Sequence, residues 1–153
     1  MTKIYKLMIS ALILTALSSC EGEKMKREVL KTKAAPAPVG AYSQGTRWGD
    51  LIFTAGQIPI DPKTANLVVD DFSKAVEITL QNMLAVVEAG GGKSESILKV
   101  TVFLKDLNDF ALVNAAFEKA FPVNPPARSA VEVARLPKDV PVEMECIAIR
   151  CEK

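Results

Sequence analysis

The sequence predicts a two-layer α+β domain, with a sheet of about six strands covered on one face by two helices. Three observations carry that expectation. Two segments have apolar residues at helical spacing, the segments around them alternate or run apolar over strand lengths, and the order along the chain is strands, helix, strand, helix, strands. Two helices can cover only one face of such a sheet, so the other face is expected to be apolar and hidden by self-association.

Arg27 to Thr32 makes a short edge strand, and Pro36 and Pro38 then stiffen an extended segment leading into Val39–Gly45. After the turn-like Trp48-Gly49-Asp50, Leu51 to Thr54 reads as a buried strand. Ala55-Gly56-Gln57 lets the backbone be approached closely where that strand ends. Asp61-Pro62-Lys63-Thr64 is a turn. Asp70 or Asp71 caps a first helix with the stripe Val76, Leu80, Met83 and Val87, and Gly90-Gly91-Gly92 stops it.

Ile97 to Lys105 alternates, with Leu98, Val100, Val102 and Leu104 assigned to one face. Asp106 to Asp109 offers caps for a second helix on which Phe110, Val113, Asn114, Phe117 and Phe121 share a broad face, ended by Pro122 and Pro125-Pro126. Two strands follow, Arg128 to Arg135 and Val140 to Arg150, joined by Leu136-Pro137-Lys138-Asp139. Cys146 and Cys151 would lie roughly 16 Å apart on opposite faces of the last strand, too far to bridge, and read as packing thiols.

The first residues differ in kind from the rest. Lys3 and Lys6 precede the uncharged run Leu7 to Leu17, which ends in Leu17-Ser18-Ser19-Cys20. Eleven helical residues reach about 16 Å, half of a bilayer core of roughly 30 Å, so this is an export signal and not a span. The ending resembles a bacterial lipoprotein signal, which would make residues 1–19 a signal peptide and Cys20 a lipidated N-terminus holding the protein to a membrane in the periplasm. The alternative is a cytosolic chain starting at Met25. Residues 20–35 are then a tether and first strand, and 25–153 the working domain.

The 153 residues contain 19 basic and 18 acidic side chains and no histidine. Histidine-based nucleophile systems, imidazole acid–base chemistry and the commonest zinc ligand are therefore excluded, and no metal or cofactor is expected. Residues 1–19 hold two of the basic side chains and no acid, so the remaining 134 residues carry a formal charge of −1 in place of +1. Such a balance gives no footprint for phosphate neutralisation, and no nucleic-acid partner is expected.

One constellation invites a chemical reading. Arg128, Ala130 and Glu132 share a strand face, and a guanidinium at the start of a strand matches a carboxylate bidentately. Glu143 and Glu145 share a face of the last strand inside an apolar frame. Taken alone, an arginine and a glutamate on neighbouring strands are more often a structural ion pair than a catalytic one.

Four motifs in order resemble one family: Gly40-Ala41-Tyr42-Ser43-Gln44-Gly45, Thr54-Ala55-Gly56-Gln57-Ile58-Pro59, the run from Val102 to Phe110, and the run from Pro126 to Pro137. They resemble the Rid (RidA/YjgF) family over about Met25 to Arg150. That resemblance implies a chorismate-mutase-like fold and a homotrimer with active clefts between subunits. It also implies hydrolytic deamination of enamine and imine carboxylates such as 2-aminoacrylate to 2-keto acids and ammonia. By the same resemblance, Arg128 grips the substrate carboxylate and Glu143 orients the attacking water, while Tyr42, Gly56, Asn114 and Ala130 line the cleft. Tyr42 could equally be a packed aromatic, and Asn114 a capping or core amide. Two positions depart from the family pattern: Ala55 stands where serine is common, and Ala130 where the deaminase subgroup often has cysteine. Two other readings stay open, a non-catalytic trimeric module binding small carboxylates and an endoribonuclease.

Overall fold

The computed structural model describes residues 26–151. The signal-peptide residues, Cys20 and the start of the tether lie outside the described residues.

The elements are β1 (Glu28–Leu30), β2 (Gly45–Trp48), β3 (Leu51–Thr54), α1 (Phe72–Ala89), β4 (Ile97–Leu104), α2 (Phe110–Ala120), β5 (Ala127–Glu132) and β6 (Val142–Ile149). They form one six-stranded mixed sheet in the order β1-β2-β3-β6-β4-β5, antiparallel except for the parallel pair β4–β5. The βαβ crossover through α2 makes that pair parallel, and it leaves β5 at an edge.

Both helices pack on one face, as their stripes require. Ala75, Val76, Leu80, Met83 and Val87 of α1 and Val113, Phe117 and Phe121 of the second helical segment meet Ile52, Val100, Val102, Leu104, Val142, Met144 and Ala148 of the sheet. Each of these larger side chains contributes about 1.5–3 kcal/mol by leaving water. Asp71 caps α1 by accepting the Lys74 N–H at 3.1 Å, and Gly90 ends it. A Cβ on Gly90 would sit 2.8 Å from Ile52 Cδ1, so the close approach of helix end to sheet requires glycine there.

Four expectations change. Gly45–Trp48 is a strand, β2, closing on β3 through a two-residue turn in which Gly49 takes φ 58°. The alternation of Thr46 and Trp48 against Leu51 and Phe53 is its sequence signal, hidden by the polar Arg47 and the glycines around it. β3 is not fully buried, since Ile52 and Thr54 face the helices while Leu51 and Phe53 face outward. A bulge between Ile97 and Lys99 turns Ile97 into the core and leaves Leu98 exposed, shifting the predicted inward face by one residue at the start of β4. β5 stops at Glu132 because the chain then leaves the sheet for the turn Pro137–Asp139, where Lys138 and Asp139 both take φ 57°.

The face away from the helices carries Trp48, Leu51, Phe53, Val131, Ile147 and Ile149, each 36–47% exposed in the single chain. That is the apolar open face the two-helix arithmetic anticipates. Cys146 and Cys151 are both free thiols, and burial pushes the Cys146 thiol up to about 12, consistent with packing.

Candidate active site

The sheet sorts the predicted site residues into two groups on opposite faces. In the β4–β5 register Arg128 lies beside Val100 and Ala130 beside Val102, and both valines are fully buried under the helices. Arg128 therefore projects to the helix side. Its guanidinium carbon sits 4.5 Å from the Phe117 ring centre and 5.1 Å from that of Phe110, and Nη2 donates to Asn114 Oδ1. Phe110, Asn114 and Phe117 are successive positions on one face of α2, so a single helix builds the cradle. Asn114 is thus neither a cap nor a core amide. Ala130 follows Arg128 on the same face, packed against the core.

No carboxylate pairs with Arg128 among the described residues, whose ion pairs are Arg47–Glu28, Lys74–Glu77, Arg135–Asp139 and Arg150–Asp50. Burial holds the Arg128 guanidinium below its usual range, a cost that an incoming anion would relieve. The cleft in front of it, about 270 Å³, is lined by Asn114, Phe117, Glu118, Phe121, Pro125, Pro126 and Arg128.

Glu143 stands on the other side. It alternates with the buried Val142 and Met144 and pairs in register with Phe103, so it shares the open face with Glu145, Ile147 and Ile149. The expectation that β5 and β6 are neighbours is therefore corrected: β4 separates them, and Arg128 and Glu143 cannot form an ion pair within one chain.

Gly56 explains how Glu143 is held. β3 leaves its ladder after Phe53, the Cys146 N–H donates to Thr54 Oγ1 at 2.9 Å, and pairing resumes only at the Gln57–Met144 bridge. At the interruption the Glu143 carboxylate lies over Gly56, and a Cβ there would collide with Oε1 and come within 2.8 Å of Cδ. Gly56 also lines a small cavity with Tyr42, Val39, Gln57 and Ile58. Tyr42 is half exposed, its hydroxyl accepting the Val39 N–H at 3.2 Å, which removes the packed-aromatic reading.

A family model described as Endoribonuclease L-PSP matches residues 32–150. The chain belongs to the Rid (YjgF/L-PSP) family. A Rid relative from Salmonella typhimurium, named 2-iminobutanoate/2-iminopropanoate deaminase, is 52% identical over 126 residues, covering 80% of this chain and 98% of the relative. A RutC family protein from Pyrococcus abyssi is 48% identical, covering 82% of this chain and 99% of its own. The crystal structure of the YjgF gene product of E. coli superimposes with a TM-score of 0.78 at 50% identity, covering 81% of this chain and 99% of that one. The Rid fold expected from the motifs is therefore the fold observed.

Sequence reasoning missed two parts of this Rid site. One is the aromatic pair that clamps Arg128, since Phe110 and Phe117 at helical spacing indicate a packing face and nothing more. The other is Gln44, almost fully buried, whose Oε1 accepts the Thr32 N–H at 2.8 Å and whose Nε2 donates to the Thr32, Ala35 and Pro36 carbonyls at 3.0, 3.1 and 2.8 Å. It ties down the segment that carries Tyr42. Its place in the Gly40–Gly45 motif, just after a proline-rich segment, is a sequence signal for it, but not for its burial or its partners.

Burial, aided by the like charge of Glu145, pushes the Glu143 carboxyl above its usual range. A carboxyl raised by folding favours the protonated native state, so its contribution is complete below the unfolded pKa of about 4.3 and is lost as pH rises through the higher folded value. Glu143→Gln is therefore expected to match the parent in denaturant midpoint at about pH 4 and to exceed it increasingly toward pH 7. Parallel stability curves would overturn this.

Proposed function

We propose that this chain is a hydrolytic deaminase of 2-imino and 2-enamino carboxylates, working as a homotrimer with each site assembled between subunits. The observation that carries the proposal is an unpaired guanidinium, fixed by Phe110, Phe117 and Asn114 at a cleft large enough for a small carboxylate. The 52% identity to a named 2-iminobutanoate/2-iminopropanoate deaminase supplies the reaction class. The intersubunit arrangement is supported by Arg128 and Glu143 occupying opposite sheet faces and by the apolar open face that asks for a partner.

In this reading Arg128 of one subunit holds the substrate carboxylate, and Glu143 of the next, with Tyr42 and Gly56 beside it, faces the C=N carbon. An enamine substrate is first protonated at its terminal carbon, giving the iminium ion, and an imine reacts in the same N-protonated form. A water oxygen adds to C2 while Glu143 takes one of its protons, giving a carbinolamine. The amine then takes the proton back from Glu143, the C2–N bond breaks to release ammonia, and the C2 hydroxyl gives its proton to the Glu143 carboxylate as it becomes the carbonyl of the 2-keto acid, that proton finally leaving on ammonia as ammonium. The imine carbon is already electrophilic, so positioning and electrostatics suffice without histidine. The raised Glu143 pKa brings its basicity toward neutral pH, where a general base acts best. Ala55 and Ala130 supply neither hydroxyl nor thiol, and the scheme requires neither.

The deciding assay generates 2-aminoacrylate with a serine dehydratase and follows pyruvate. Added protein is expected to accelerate pyruvate formation above the spontaneous rate. Carboxylate binding with no acceleration would favour the binding-module reading. The description of the matching family model keeps an endoribonuclease reading alive, and salt-sensitive RNA binding with cleavage would support it.

On the sequence alone we also propose that residues 1–19 are an export signal and Cys20 a lipid attachment site. The mass of the native N-terminal peptide separates this from a start at Met25.

A further inference from the structure

We infer that Glu118 acts as a charge filter that makes the Arg128 cleft select imines bearing a single carboxylate. This rests on the deaminase reading and names the substrate class of the same cleft. The cleft has two charged side chains in its lining, Arg128 and Glu118. The rest is Asn114, two phenylalanines whose ring centres are 5.3 Å apart, and Pro125 and Pro126. Glu118 lies one helical turn beyond Asn114 on α2, at the exposed rim, and pairs with no cation among the described residues.

The consequence is electrostatic. The substrate's first carboxylate neutralises Arg128 and leaves Glu118 as the one charge remaining in the lining that this chain supplies. A neutral side chain then meets Phe117, Phe121 and the two prolines, which offer apolar surface. A second carboxylate meets an anion, with no further cation in the lining to offset it. At the exposed rim, solvent screening holds this repulsion to about two- to fivefold in binding. A cationic side chain would meet attraction, so the filter acts on charge and not on size.

The test compares 2-iminobutanoate with the five-carbon dicarboxylate imine 2-iminoglutarate, each generated by an amino-acid oxidase of suitable specificity and trapped with semicarbazide. The parent is expected to favour the monocarboxylate by about two- to fivefold in kcat/KM. Glu118→Gln should narrow that preference and Glu118→Lys should reverse it, with the change falling on KM for the dicarboxylate. An unchanged ratio in Glu118→Lys would overturn the inference. If no protein, parent included, accelerates either hydrolysis, the deaminase reading fails. The filter is then judged by calorimetric binding of 2-oxobutanoate against 2-oxoglutarate, where the same ordering of parent, Gln and Lys variants is expected and equal affinities in all three would refute it.

Discussion

Arg128→Ala is expected to lower kcat/KM for imine hydrolysis by about 10²- to 10³-fold while leaving the chain folded. The estimate follows from what the side chain does. A charge-assisted hydrogen bond is worth about 1.5–3 kcal/mol, and leaving the partner charge buried and unpaired adds to that loss. The substrate carboxylate would lose its only cation in the cleft and the bidentate geometry that orients C2 toward the water. Arg128→Lys is expected to recover little. A lysine ammonium keeps the charge, but it cannot stack as a plane between Phe110 and Phe117 while donating sideways to Asn114. Because Arg128 makes no ion pair among the described residues, its loss strands no carboxylate and the fold should tolerate it. Near-parent activity in Arg128→Ala would place the chemistry elsewhere.

The second large effect comes from mixing. Arg128→Ala and Glu143→Ala chains should each be nearly inactive alone, yet refolding them together in equal amounts is expected to restore about a quarter of parent activity. In the proposed ring of identical head-to-tail interfaces each site would take Arg128 from one chain and Glu143 from the next. Half of the chains supply an intact arginine and half an intact glutamate, so one interface in four has both. A site contained in one chain could never be restored this way. Mixed trimers that stay as inactive as their parents would rule out the intersubunit site.

How much of this was legible in the sequence depended on the range of the interaction. The two helices, the Asp71 cap of α1 and the alternation of β4 and β6 are local patterns, and they are found nearly where the residues indicate. The start of β4 failed because a bulge depends on the partner strand, which periodicity does not see. β2 failed because Gly45 and Arg47 break the apolar pattern, although pairing with β3 decides the matter. Candidate site residues can be named from the motifs, but their separation cannot be read from them. Whether Arg128 and Glu143 share a face depends on β4 lying between their strands and on the register of both pairings, facts of topology that residue spacing does not encode. The phenylalanine clamp was hidden for a related reason: Phe117 looks like any core aromatic until a guanidinium lies on it.

The segment that carries Tyr42 is hung from one side chain. Gln44 reaches beneath it and holds the Thr32, Ala35 and Pro36 backbone, while Ala37 to Ser43 lies outside the strands. Wall and scaffold are thereby uncoupled: substitutions or insertions between Ala37 and Ser43 reshape the wall of the small cavity beside Gly56, while the strand pairings lie elsewhere in the chain. Descendants of this chain can diverge in the molecules they accept by editing a handful of exposed positions, provided that one buried amide is kept.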